Sequence, residues 1–274
     1  SLTCRQFSVK SRPMSDSAVL VTGGAGYIGS HTVRMLAEEA ERKVVVLDNL
    51  VFGHPESIVS EGVELVVGDM GDAELVESLF EKHNFEAVVH FAAYCYVGES
   101  VDDPVKYYRN NTAAPLVILD AMRRHGCGRF IFSSTCATYG NPVKIPMDET
   151  HPQAPINPYG RSKWFLEQIL ADCETAFGLK SVRLRYFNAS GCSIDGVLGE
   201  DRSNLFVRGR DIVIVGPSDF HLVVVWSAQL HPVVVLLMVC RLAKTVRRFV
   251  AHAGKRQKLA RSFDPYYRWC GMDA

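Results

Sequence analysis

The 274-residue sequence has eight cysteines, at positions 4, 95, 127, 136, 173, 192, 240 and 270, but no Cys-x-x-Cys pair and no regular cysteine spacing. That argues against a zinc site or a disulfide framework; the cysteines are expected to be reduced core residues of a protein in a reducing compartment, the cytoplasm. The first 13 residues hold Arg5, Lys10 and Arg12, no acid, and no apolar core of secretory-signal length. They are expected to lie upstream of a natural start at Met14, with the remnant of an organellar transit peptide as the alternative. Without a secretory signal, the glycosylation-like triplets Asn110-Asn111-Thr112 and Asn188-Ala189-Ser190 carry little meaning. A bilayer-spanning run of about 20 apolar residues is also missing. The best candidate, residues 220–240, is interrupted by His221, Gln229, His231 and Pro232. No internal repeat is evident. The formal net charge is +0, so neither a nucleic-acid partner nor an anionic surface is called for by overall charge.

What is present begins with residues 18–29, Ala-Val-Leu-Val-Thr-Gly-Gly-Ala-Gly-Tyr-Ile-Gly. Five residues suited to a buried parallel strand lead into glycines 23, 26 and 29 and then an amphipathic run. Gly23 would permit the tight turn, Gly26 the close approach of backbone amides to a pyrophosphate, and Gly29 close packing of helix on strand. The helix N-terminus then faces the anion. A glycine triplet alone is a weak signal, and a generic turn would explain it. Asp48 strengthens it, because it ends a second apolar strand about twenty residues beyond the loop, where a carboxylate can accept both hydroxyls of an adenosine ribose and would repel a 2′-phosphate. NAD is therefore expected rather than NADP.

Strand and helix then alternate, which predicts a parallel sheet covered on both faces. The pattern places helices at residues 27–40, with Ile28, Val33 and Leu36 facing the sheet, at 73–83 and at 159–177. Strands are predicted at 18–22, 44–47, 63–67, 87–91, 129–133 and 181–186, six in all. Asp69 and Met70, and the residues after Phe91, should gather round the adenine and pyrophosphate, although Asp69 could be only a turn residue. Asp103-Pro104 is a good helix start. Pro115 demands a kink or a break, since proline in a helix interior costs ~3 kcal/mol.

Two hydroxyl features follow strand ends: Ser133-Ser134-Thr135, and Tyr159 with Lys163 at a helix start. A spacing of four puts Tyr159 and Lys163 on one helix face, where the ammonium should lower the phenol from its usual pKa of about 10 toward that of a working general base. Alone, the pair would be read as a surface contact. After a dinucleotide loop and a Ser/Thr cluster it reads as a base, a cation that tunes it, and a hydroxyl that orients the reacting oxygen.

The stretches 22–31, Val97-Gly98-Glu99-Ser100, Phe132-Ser133-Ser134-Thr135, Asn157-Pro158-Tyr159-Gly160-x-Ser162-Lys163 and Arg185-Tyr186-Phe187-Asn188 together resemble the UDP-glucose 4-epimerase family of extended short-chain dehydrogenase/reductases. UDP-arabinose 4-epimerases are similar too. The resemblance covers about residues 17–201 and implies a Rossmann-type doubly wound parallel sheet with helices on both faces. It further implies a metal-free isomerisation of a UDP-sugar on tightly held NAD, in which Tyr159 takes the proton of the 4-hydroxyl while the C4 hydride is borrowed and returned. Thr135 would bridge substrate and Tyr159, and Lys163 would also hold the nicotinamide ribose. The implied cofactor contacts are Tyr27, Ile28, Asp48, Asn49, Asp69, Met70, Phe91, Ala92, Ala93, Asn110 and Phe187. Asn188 would contact the nucleotide sugar, and two copies would pair through helices around 104–125 and 159–177. One departure is Cys95, where some members carry lysine. A nucleotide-sugar dehydratase would need an acidic pair beside Thr135, where this chain has Cys136 and Ala137.

Past residue 201 the resemblance ends. Residues 1–201 carry 18 Lys and Arg against 26 Asp and Glu; residues 202–274 carry 12 against 4, with no Glu. This predicts three parts: an extension at 1–16, an NAD-binding domain at 17–201, and a divergent tail at 202–274 replacing a substrate domain. Such a break is expected of a shifted reading frame or a retained intron, leaving an NAD half that folds while turnover is poor or absent. A catalytically silent NAD-binding protein is the rival from another functional class.

Overall fold

The computed structural model describes residues 17–199, apart from 146, 188, 190, 191 and 194. The segments 1–16 and 202–274, and Asn188, lie outside the described residues.

Strand β1 (Ser17–Thr22) is buried along almost its whole length, and so is β2 (Lys43–Asp48). Side chains hidden on both faces are what a central parallel strand requires, and β-branched residues supply them. The sheet continues with β3 (Glu64–Val67), β4 (Asn84–His90), β5 (Arg129–Ser133) and β6 (Lys180–Leu184). All five pairings are parallel, and the order is β3-β2-β1-β4-β5-β6. The chain reverses its direction of winding between β1 and β4, so their carboxyl ends open the crevice where such sheets bind ligands. Thr22 stands opposite Leu47 on one side and His90 on the other.

The helices are α1 (Tyr27–Glu38), α2 (Ala73–Lys82), α3 (Val97–Asp102), α4 (Pro104–Tyr108), α5 (Ala114–His125) and α6 (Pro158–Phe177). One core cluster packs Leu79, Ile118, Met122, Leu166 and Leu170 against alternate sheet residues such as Leu20, Val88 and Phe130. The other packs Val33 and Leu36 of α1 against Val19, Val21, Val46 and Ile131, with Ile28 partly buried beside them. Helices thus cover both faces, as the alternation predicts.

The differences from expectation are local. Helix α1 stops at Glu38, short of residue 40. β4 runs from 84 to 90, so Phe91 lies just past it, and β6 ends at Leu184, leaving Arg185 and Tyr186 beyond. Helix α3 was not foreseen. Asp103 caps α4 by accepting from the Lys106 amide at 3.1 Å, and the break demanded by Pro115 is a π turn over Arg109–Ala113 with Pro115 in the first turn of α5, where its missing donor costs nothing. The cysteine expectation needs correction. None of the described cysteines is in a disulfide, but only Cys127 is buried; Cys136 and Cys173 are half-buried, and Cys95 and Cys192 are exposed. These last two lie on connections past strand ends, which a packed core does not reach. Among the described residues no helix is long and apolar enough to cross a membrane.

Candidate active site

Gly23 has φ +70°, and a Cβ there would lie 2.5 Å from the Ala92 amide nitrogen. The turn after β1 therefore presses against the chain leaving β4. At Gly29 a Cβ would come within 2.1 Å of the Gly23 carbonyl oxygen, so α1 can start only where this residue lacks a side chain. Gly26 is the helix N-cap and provides no side-chain cap, and no acid occupies the first turn. The N-terminus of α1 therefore has neither a side-chain cap nor an acid of its own to compete with an anion.

Gly23 and Gly26 border a cavity at the carboxyl ends of β1, β2 and β4. Of the residues expected at the cofactor, Gly23, Gly26, Asp48, Asn49, Met70, Phe91, Ala92, Ala93 and Asn110 line it. Asp48 is buried; Oδ2 accepts from the Ala25 amide at 3.0 Å and Oδ1 from the Leu50 amide at 2.9 Å. Each oxygen keeps lone-pair capacity toward the cavity. The other expected contacts are not in the lining of this cavity. The Asp69 carboxylate accepts from the Gly71 amide at 2.7 Å, the turn role foreseen as its alternative. Tyr27 meets His31 edge-on at 5.7 Å, Ile28 faces the core, and Phe187 is half-buried beyond β6. The sequence reading missed Leu47, Val51, Phe52, Gly53, Gly68 and Tyr94, which also line the cavity. Most adjoin expected residues; Phe52 and Tyr94 carried no signal beyond their aromaticity.

Thr135 and Tyr159 come together through a hydrogen bond between their hydroxyls, outside the lining of this cavity. Thr135 caps the 3-10 turn Cys136–Thr138, accepting from the Ala137 amide at 3.2 Å. The first turn of α6 packs on that turn, since a Cβ at Gly160 would be 2.5 Å from the Ala137 carbonyl oxygen. The rings of Tyr94, Tyr107 and Tyr159 form a chain, with centroids 5.9 and 6.4 Å apart, from the cavity wall to the phenol. Burial raises the Tyr159 pKa, and a hydrogen bond with the Thr135 hydroxyl opposes that rise.

Lys163 departs from expectation. Its Nζ donates to the Ser133 carbonyl at 2.9 Å, and burial pushes its pKa down to about 8. Helical spacing does place it one turn from Tyr159, but its long stem carries the ammonium to a strand-end carbonyl, and burial outweighs charge in setting the phenol. The expected lowering of the Tyr159 pKa by Lys163 is therefore corrected: its pKa is raised.

Behind the hydroxyls lies a buried polar network. Glu167 accepts from the Ser134 hydroxyl, from Arg185 Nε at 2.9 Å and from Gln153 Nε2 at 2.9 Å, while Arg185 also donates to the Tyr139 hydroxyl at 3.1 Å. Asn111 accepts from the Tyr94 amide and donates to its carbonyl, both at 2.9 Å, and reaches the Ser162 hydroxyl at 3.2 Å. Groups held this way keep one rotamer and fix the residues beside them.

Comparison with known proteins agrees with this geometry. The sequence pattern of the NAD dependent epimerase/dehydratase family matches residues 19–216. The chain belongs to this family. It is 49% identical over 187 residues to a UDP-glucose 4-epimerase of Streptococcus mutans, covering 68% of this chain and 56% of that protein. It is 46% identical over 190 residues to a probable UDP-arabinose 4-epimerase of Arabidopsis thaliana, covering 66% and 46%. The crystal structure of UDP-glucose 4-epimerase from Brucella ovis in complex with NAD superimposes with a TM-score of 0.71 at 39% identity, covering 86% of this chain and 73% of that one. The chain spans about half the length of the curated relatives it matches. For a member of the NAD dependent epimerase/dehydratase family the cavity suits the dinucleotide: the glycine at position 26 leaves the helix N-terminus open, and Asp48 supplies the carboxylate at the end of β2.

Proposed function

We propose that this chain is an NAD-dependent 4-epimerase of a UDP-sugar, UDP-glucose and UDP-galactose being the first candidates and UDP-arabinose and UDP-xylose the alternative. The observation that carries the reading is the meeting of Thr135 and Tyr159, joined through the rings of Tyr107 and Tyr94 to a glycine-loop cavity with a carboxylate at Asp48. NAD, when bound, supplies a ring that takes up a hydride and gives it back. Once ionised, against the burial that raises its pKa, Tyr159 would accept the proton of the sugar's 4-hydroxyl as the C4 hydride leaves, and the 4-keto sugar, its other face presented, would regain both, with no net oxidation. Thr135, which takes a hydrogen bond from the Ala137 amide, orients the reacting oxygen toward Tyr159. Lys163 supplies a buried donor at the nicotinamide ribose. Tyr27, Ile28, Asn49, Asp69, Met70, Phe91, Ala92, Ala93, Asn110 and Phe187 complete the proposed cofactor contacts, and Asn188 the sugar contact.

Two copies are proposed to pair through the α4, α5 and α6 face, and the described cysteines, none of them in a disulfide, support work in the cytoplasm. Because the chain spans about half the length of its relatives, a second reading is an NAD-binding protein without turnover. Incubating the purified chain with UDP-galactose and with UDP-arabinose separates the two. Inversion at C4 that is abolished by Tyr159→Phe supports the epimerase; NAD held without inversion of either sugar supports the silent binder.

A further inference from the structure

The wall of the cavity formed by the segment after β2 is a strap tied down at both ends. At its root Asp48 binds the Leu50 amide at 2.9 Å and the Ala25 amide at 3.0 Å. At its far end the His54 amide and the Ser57 hydroxyl both donate to the Ala25 carbonyl, at 3.0 and 2.8 Å. Between the anchors, residues 49–53 are held by a local turn in which the Val51 amide donates to Asn49 Oδ1 at 3.2 Å. Leu50 sits there at φ +58°, a left-handed conformation that a branched side chain rarely adopts. Val51 and Phe52 are 54% and 46% exposed, and neither belongs to a core cluster.

Phe52 nevertheless has ring partners. It meets Tyr94 edge-on, centroids 5.8 Å apart, and Tyr96 edge-on at 5.4 Å. Both tyrosines belong to the chain leaving β4, on the opposite side of the crevice, and Phe52 and Tyr94 both line the cavity. The Tyr94 side is the firmer one: Asn111 bonds its backbone on both sides, and Lys106 Nζ stands 4.3 Å over its ring. Of two surfaces joined by ring edges, the one anchored only at its ends is the one that swings.

We propose that Phe52 is the latch of the dinucleotide cavity. Its ring closes the crevice by resting on Tyr94 and Tyr96, and residues 49–53 must lift it away for a dinucleotide to pass in either direction. This rests on the reading of the cavity as an NAD site. A latch changes the barrier to passage for uptake and release alike and leaves the equilibrium nearly untouched, whereas a simple contact raises affinity through release alone.

The test is an exchange measurement on the full chain: radiolabelled NAD is loaded and then chased with unlabelled NAD, and uptake is followed separately. Breaking two edge-to-face contacts should raise both rates about tenfold in Phe52→Ala and Phe52→Leu, with Kd within about threefold of the parent. Phe52→Tyr, which keeps a ring, should stay within about twofold. Unchanged rates, or faster release with unchanged uptake, overturn the latch while leaving the NAD site intact. A parent chain that holds no NAD overturns the site itself. Phe52 is half exposed, so a thermal midpoint close to that of the parent is expected in all three variants and separates a latch effect from misfolding.

Discussion

Lys163 is 2% exposed, donates to the Ser133 carbonyl at 2.9 Å and stands 5.0 Å from the Phe132 ring centroid. Its folded pKa of about 8 lies below the value of about 10.4 expected in the unfolded chain. Between those limits the unfolded state binds a proton that the folded state has released, so stability contributed by this residue rises with pH. Lys163→Met has no such proton. Its thermal midpoint relative to the parent should be most favourable at pH 7 and decline as the pH approaches 10; a difference independent of pH would show that burial of the ammonium is not the cause. His90 acts with the same sign in a more acidic window. Its Nδ1 lies 2.7 Å from Thr22 Oγ1, its ring stacks on Phe132 at 5.8 Å, and burial, with the Lys163 charge behind it, holds its pKa down to about 3. Against about 6.5 in the unfolded chain, stability must fall as the pH drops from 6.5 toward 3. Equilibrium urea unfolding of His90→Gln across that window should show a shallower acid loss than the parent, and an identical slope would assign the acid sensitivity to other groups.

Among the elements, the bond between α6 and the ends of β5 and β6 is the one on which the site's shape depends. Glu167 and Arg185, with side chains 1% and 8% exposed, are taken out of water together. Removing one partner strands the other's charge, which in a buried pair costs about 3–5 kcal/mol. Glu167→Ala should accordingly lower unfolding free energy by that order in urea titration. Arg34→Ala, which breaks a pair to Asp195 at 2.8 Å with side chains 30% and 44% exposed, should move the urea midpoint little. Equal effects would refute the distinction. This network also marks where sequence reading stops. Strands, the glycine turn, the Asp103 cap and the break at Pro115 are written in neighbouring residues, and so are Asp48, Thr135 and Tyr159, whose spacing from strand ends is local. The partners of Glu167 arrive from 33 and 18 residues away, and Phe52 finds Tyr94 only because β2 and β4 flank β1. Lys163 misled because helical spacing fixes which face a side chain leaves from, not where a four-carbon stem ends.

On the scale of the whole molecule, the sheet is covered on both faces, yet one group of helices keeps apolar side chains in solvent. Val97 and Val101 of α3, Val105 of α4, Leu116 of α5 and Phe165 of α6 are 37–61% exposed, and the Tyr108 ring lies tilted against Phe165, centroids 5.8 Å apart. Single exposed apolar residues are ordinary, but several on adjoining helices form a surface that association would cover. A two-fold pairing through α4 to α6, as proposed above, would bury Val105, Leu116 and Phe165 once on each copy. The pair Val105→Glu and Leu116→Glu puts charges on that surface, away from the glycine-loop cavity. If the face is the dimer contact, sedimentation equilibrium should show the double variant as a monomer under conditions where the parent is a dimer, with NAD affinity within about threefold because the cavity lies within one copy. A dimer that survives both charges would place the contact on another face, and a parent that sediments as a monomer at every concentration would remove the pairing altogether.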